Sequence, residues 1–406
     1  MSVTIQRLGH RGDGIAPGPL FVPLTLPGEV VEGDIEGDRI AAPRIVTPSP
    51  DRVAPPCRHF KSCGGCALQH ASDSFVETWK ADQVRTALAA HGLDAPIRGV
   101  ATSPPGSRRR AVFSGRRTKK GALVGFHARA SDAIVEVPDC QLVVPGIAAL
   151  LPALAELTRA HATRRGELWL TVTWSPAGAD LSLAGGPDLD GPRRAALGAF
   201  AAQAGLARLT WNGEPIAEAR PPAQDFAGIE TVPPAGAFLQ ATAHGETALR
   251  GAVAQAVGTA ARIVDLFAGC GTFALPLARH AAVHAVESDA GMLAALDRAW
   301  RHAPGLKKVT TEPRDLFRRP LLTAELDRYD AIVIDPPRAG AEAQTAQIAG
   351  SRVGRVAFVS CNPVTFARDA ATLAGAGYRL DWIDVVDQFR WSPHVELAAC
   401  FSRADM

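Results

Sequence analysis

Between residues 236 and 406 the chain predicts a doubly wound α/β sheet, and three observations predict it. Short β-branched strands alternate with Ala-rich helices: "ARIVDLF", "TFALPLARH", "AVHAVE", "AGMLAALDRAWRH", "YDAIVID", "GRVAFVS". That alternation is the pattern of βαβ units around a parallel sheet. A glycine turn, "DLFAGCGTF", stands between a strand and a helix. Reactive side chains recur just past strand ends, in "IDPP" and "VSCNP", the edge at which such sheets hold ligands.

Two further units precede it. Residues 1–50 read as short strands broken by Gly and Pro, with "PLFVPLTLPGEVVEGDI" alternating around a "PGE" turn. This suits a small β-barrel of the oligonucleotide-binding kind. A Pro-rich linker, "TPSPDRVAPP", leads to residues 51–235, a mixed α+β unit. It opens with a helix in "DSFVETWKADQVRTALAAHG", whose Phe75, Trp79, Val84 and Leu88 recur at helical intervals before Gly92. Strand-like runs such as "AVFSGRR", "ELWLTVTW" and "LARLTWNG" follow, interrupted by the helix "GIAALLPALAELTRAHA". The final "HVELAACFSR" suits an added antiparallel strand. The expected domains are thus 1–50, 51–235 and 236–406.

At 406 residues and 47% hydrophobic content the chain can bury a large core. Its net charge of +2 means that affinity for nucleic acid must come from a local patch. "SRRRAVFSGRRTKKG" (Ser107 to Gly121) is such a patch, with seven basic residues and Phe113 among them. No apolar run is long enough to span a membrane, and "MSVTIQRLGHRGDG" lacks a signal-peptide core, so a cytoplasmic location is expected. The sequence does not fix the oligomeric state; a monomer is the default expectation.

In "DLFAGCGTF", Gly269 and Gly271 let the backbone approach a ligand at a helix N-terminus. Glu287 ends the second strand, where a carboxylate can accept both ribose hydroxyls. Asp315, after the third, stands where an adenine amino group could be met. The pattern also satisfies a loose dinucleotide fingerprint. Asp265, just before the turn, favours S-adenosylmethionine over NAD, because its partner there would be cationic where NAD carries a pyrophosphate. Asp335 and Cys361 follow the next two strands. A cysteine in a strand-end loop near a helix N-terminus is a candidate nucleophile.

"CRHFKSCGGCALQH" places Cys57, Cys63 and Cys66 within ten residues. In a cytosolic chain such a cluster points to metal or catalysis, not to disulfides. A four-coordinate site needs one more ligand, and Cys140 in "VPDCQLV" is the candidate. Spacing alone leaves zinc and a 4Fe–4S cluster open, although C-x5-C is longer than the usual zinc knuckle.

The ordered set "DLFAGCGTF", "DPPRAG", "VSCNP" and "HVE" resembles the RNA 5-methyluridine methyltransferases, over nearly the whole chain. "CGGCALQH" resembles their iron–sulfur branch, and "LPGEVVEGDI" the TRAM domain that some members carry. The resemblance implies a Rossmann-like S-adenosylmethionine-dependent domain, Cys361 as nucleophile and Glu396 as base. It implies that Asp335 contacts the uracil or organises the site beside the cofactor. It also implies cofactor contacts at Gln240, Phe267, Thr272, Glu287 and Asp315, and a 4Fe–4S cluster on Cys57, Cys63, Cys66 and Cys140, with no ligand role for His59 or His70. Thr272 stands where some members have asparagine. The implied partner is RNA, with 23S rRNA preferred and tRNA the alternative. Two readings of other classes stand beside it: an iron–sulfur oxidoreductase binding NAD at the glycine turn, and a non-catalytic iron–sulfur RNA-binding protein.

Overall fold

The computed structural model describes residues 1–403. Its largest sheet has eight strands. In order across the sheet they are Val309–Pro313, Ala282–Glu287, Arg262–Leu266, Ala331–Ile334, Arg355–Ser360, Glu396–Ser402, Arg379–Asp387 and Ile97–Thr102. The first five are parallel, and Glu396–Ser402 runs antiparallel to both neighbours. Ala331–Ile334 ("AIVI") is buried at every residue, as a strand covered by helices on both faces should be. The chain winds outward from Arg262–Leu266 in one direction and then resumes on its other side with Ala331–Ile334. The reversal opens a crevice beyond the C-terminal ends of these two strands.

Helix starts frame that crevice. The Asp289 side chain accepts from the N–H groups of Gly291 and Met292 and caps Ala290–His302. Asn362, directly after Cys361, caps Pro363–Gly375 through Val364 N–H, and Pro363 supplies the fixed φ of a first helical residue.

The sheet also draws on the middle of the chain. Ile97–Thr102 pairs in parallel with Arg379–Asp387 as its edge strand. Helix Asp73–Ala89 packs Val84 and Leu88 into the same core as Phe366, Leu373 and Ile383. The Ser72 hydroxyl caps this helix, and Gly92 (φ 67°) turns the chain out of it.

A separate seven-stranded sheet spans Arg110 to Glu218. Its strands pair antiparallel except Gly178–Ala184 with Arg208–Trp211. Leu168, Leu170 and Val172 alternate inward against helix Pro145–His161. At the N-terminus six short strands form two three-stranded sheets, not one continuous ladder. Ile5, Val22, Val31 and Ile40 are buried together between them.

Candidate active site

Strand register brings the reactive groups together. Ser360 pairs with Leu397 across the antiparallel ladder. The next residues outward are Cys361 and Glu396, so both stand at the crevice edge of the sheet. Asp335 follows Ala331–Ile334 at the same edge, with its backbone N–H donating to the Leu266 carbonyl at 3.2 Å. Gln240, just before helix Ala243–Val257, donates to Asp335 Oδ2 at 3.3 Å. Gln388 donates to Glu396 Oε2 at 2.9 Å and to Gln240 Oε1 at 2.5 Å.

Acidic charge is crowded here. Glu396 is 3% exposed, and burial followed by the nearby Asp335 charge holds its carboxyl well above the usual carboxylate range. Burial raises Asp335 likewise. Asp265 is fully buried, and neither of its oxygens makes a hydrogen bond. Burial, then the charges of Asp335 and Glu287, pushes it far up. Burial and the charges of Glu396 and Asp335 push the Cys361 thiol up to about 12, while Arg338 opposes them. A cation entering this crevice would relieve all of these groups. A sulfonium or ammonium group fits that demand, and a pyrophosphate does not.

The glycine turn is shaped for close approach. Gly269 (φ 55°) and Gly271 (φ 95°) take left-handed conformations, and a Cβ on Gly271 would lie 2.8 Å from the Leu275 side chain. Phe267 has φ 62° despite its side chain, a strain of about 1–3 kcal/mol of the kind concentrated at ligand sites. Its ring lies 5.5 Å from that of Phe317, beside Asp315. Glu287 accepts from Gly269 N–H at 3.1 Å and from the N–H groups of Ser288 and Asp289, which fixes its carboxylate at the strand end. Asp315 accepts from Phe317 N–H at 3.0 Å. Thr272 is half-buried in the turn that follows Gly271.

A chain of comparisons decides the family. A family model described as tRNA (Uracil-5-)-methyltransferase matches residues 300–404. An uncharacterized RNA methyltransferase of Rhizobium meliloti is 45% identical, with 99% of each chain covered. The 23S rRNA (uracil(1939)-C(5))-methyltransferase RlmD of Halomonas elongata is 34% identical over 97% of this chain and 88% of its own. The chain belongs to the RNA uracil-5-methyltransferase family. As a methyltransferase of this family it uses S-adenosylmethionine, and the oxidoreductase and non-catalytic readings fall away. The tRNA (uracil-54, C5)-methyltransferase of Pyrococcus abyssi, solved with S-adenosyl-L-homocysteine, shares the fold at TM-score 0.78. It is 21% identical and covers 99% of this chain and 100% of its own.

Elsewhere in the methyltransferase, Cys57, Cys63, Cys66 and Cys140 line one cavity, walled by Phe60, Phe126 and Leu142. Burial is the main cause that raises Cys63 and Cys140 and pushes Cys66 to about 12, and the neighbouring sulfurs add to it. Among the described residues no three His, Cys, Asp or Glu side chains are grouped to hold one metal ion. His59 pairs with Asp139 at 2.9 Å, and both ring nitrogens of the buried His70 lack partners.

The basic run is only partly a surface. Arg109 is buried against Glu246, Arg110 donates to the Ala237 and Gly236 carbonyls, and Arg116 pairs with Glu167. Phe113 is fully buried in the central core and cannot stack on a base. Arg117, Lys119 and Lys120 are exposed. A cavity of about 450 Å³ opens beside the Cys-rich segment, lined by Arg11, Arg108, Arg110, Arg129 and His394. Sequence reasoning missed Gln388, Arg338 as a cation facing Cys361, and Arg11 and Arg129. Arg338 lies inside "DPPRAG", so its motif was visible although its role was not. Among the described residues no helix is long and apolar enough to cross a membrane.

Proposed function

We propose that this methyltransferase converts one uridine of 23S rRNA to 5-methyluridine through a covalent Cys361 adduct. The observation that carries the proposal is the register that sets Cys361 beside Glu396 at the edge shared with Asp335.

Carbon 5 of uracil is too weak a nucleophile to take a methyl group unaided. The Cys361 thiolate adds to carbon 6, and the electron pair moves to the carbon 4 oxygen as an enolate. S-Adenosylmethionine supplies the electrophilic methyl group that carbon 5 then takes. Glu396 removes the carbon 5 proton, the pair left behind reforms the 5,6 double bond, and the Cys361 thiolate departs. Asp335 orients the uracil beside the cofactor. Gln240, Phe267, Gly269, Gly271, Thr272, Glu287 and Asp315 hold the cofactor, Glu287 at the ribose and Asp315 at the adenine. Asp265, unpartnered and buried beneath them, favours the cationic amino-acid portion.

A uridine stacked in a helix cannot reach this edge, so the target is flipped or unpaired. The arginine-lined cavity next to His394 suits the backbone phosphates around it. The N-terminal β unit, read as TRAM-like, contributes Arg11 to that wall. The four thiols around one cavity suit a 4Fe–4S cluster, with a structural role. The RlmD relative at 34% identity over 97% of the chain favours 23S rRNA; tRNA is the alternative. Cytoplasmic location and a monomer complete the reading.

The test is transfer of labelled methyl groups to unmodified 23S rRNA and to tRNA, with the product nucleoside identified. The expected result is 5-methyluridine in 23S rRNA. Incorporation into neither RNA overturns the proposal, and incorporation into tRNA alone overturns the rRNA assignment.

A further inference from the structure

We infer that Gln388 is a positioning residue for the base Glu396, and that it joins Glu396 and the cofactor-side Gln240 into one hydrogen-bonded unit. This rests on the reading of Glu396 as base.

The geometry leaves the Gln388 amide one orientation. Its Oε1 accepts from the backbone N–H of Ala241 at 2.7 Å. Its Nε2 must therefore face the other way, and there it donates to Glu396 Oε2 and to Gln240 Oε1. Both amide protons and the oxygen are used, in a residue 1% exposed. Gln240 must then turn its oxygen to Gln388 and its Nε2 to Asp335. The result is a directed chain, Gln388 to Gln240 to Asp335, with a branch to Glu396.

The surroundings are built to hold that amide. Gly245, in helix Ala243–Val257, faces it, and a Cβ there would lie 2.6 Å from Gln388 Cβ. The backbone on either side is fastened independently. Lys80 reaches Asp387 at 2.5 Å and the Phe389 carbonyl at 3.3 Å, Ser103 N–H donates to the Asp387 carbonyl, and Arg390 pairs with Asp73 at 2.6 Å. Three of these anchors come from the helix Asp73–Ala89 and one from Ser103, directly after strand Ile97–Thr102.

Two consequences follow. A donor aimed at Oε2 holds one lone pair of Glu396 and leaves Oε1 for the carbon 5 proton. That donor also favours the ionised carboxylate, against burial and against the charges facing Glu396, which are Asp335 and the Cys361 thiolate. Without the donor Glu396 is protonated up to a higher pH and is a base over a narrower range.

The test follows the lifetime of the covalent Cys361–RNA adduct in a single turnover, across pH. Gln388→Met keeps the volume and removes the donor. The adduct is expected to last at least about tenfold longer, with the midpoint of its breakdown moved to higher pH. Gln388→Asn, which keeps an amide, should recover part of the rate, a recovery that a merely structural role would not give. Gly245→Ala displaces the amide without removing it and should act in the same direction; it serves if Gln388→Met does not fold. A folded Gln388→Met enzyme with unchanged lifetime and midpoint overturns the inference. Glu396→Gln separates the two claims: if that variant resolves its adduct normally, the reading of Glu396 as base has failed, whatever Gln388 does.

Discussion

The nucleophile proposed at Cys361 would act as a thiolate, a form that burial, Glu396 and Asp335 oppose. Among the described residues, the Arg338 cation lowers its value, against burial, Glu396 and Asp335. The helix that begins at Pro363, two residues after Cys361, adds the partial positive charge of its N-terminus. The signs for nucleophile and base agree. In the proposed mechanism both groups work deprotonated and both are held above their ordinary values, so methyl transfer should rise with pH and keep rising above neutrality. Arg338→Gln should move the rising limb to higher pH and slow alkylation of Cys361 by iodoacetamide about three- to tenfold at a given pH. Equal alkylation rates in the two proteins would show that Arg338 does not act on the thiol. At this scale the sequence was readable where chemistry follows a strand end: Asp335, Cys361 and Glu287 all lie there. Gln388 was not readable. Its role comes from which atoms face it across the fold, and a single glutamine after a strand carries no such signal.

Elements set these positions. The antiparallel strand Glu396–Ser402 starts at the edge where the parallel strands end, which is how a residue late in the chain meets Cys361. Its neighbour Arg379–Asp387 is held by helix Asp73–Ala89 through the Lys80–Asp387 pair, at 0% and 1% side-chain exposure. Removing one partner of such a pair leaves a buried charge, at a cost of about 3–5 kcal/mol. The backbone N–H groups of Ala67 and Leu68, just past Cys66, donate to the Trp391 carbonyl at 2.7 and 2.9 Å. The Cys-rich segment thus supports the loop that leads into Glu396. For a cluster with a structural role, Cys63→Ser should lose iron and visible absorption and melt at lower temperature, while Cys361→Ala keeps the colour and loses activity. An iron-free, colourless wild-type protein purified without air would contradict the cluster assignment. The helix around Trp79, Val84 and Leu88 was legible from its apolar spacing. Its membership of the C-terminal sheet was not, because periodicity reports that a face is buried and not against what. The arginines of the basic run mislead for the same reason: Arg109 is a buried partner of Glu246, and charge composition cannot distinguish that from a phosphate contact.

Across the whole molecule, residues from three separate stretches of the chain meet around one opening. Arg11 comes from the N-terminal strands, Arg108, Arg110 and Arg129 from the middle of the chain, and His394 from the loop before Glu396. A chain of net charge +2 thereby gathers positive charge at one place, next to the residues proposed to act on the base. The alternating strands and helices of the C-terminal sheet could be read from sequence. The convergence of Arg11 and Arg129 on this opening could not, since they are isolated in sequence and their proximity is a product of tertiary packing. The central claim is that Cys361 bonds to the uracil and Glu396 releases it. The most direct measurement is mass analysis, under denaturing conditions, of the Glu396→Gln enzyme after incubation with 23S rRNA and S-adenosylmethionine. The account predicts a covalent complex that carries a methylated uridine on Cys361. A product that dissociates freely from that variant, at the wild-type rate and with no adduct on Cys361, would contradict it.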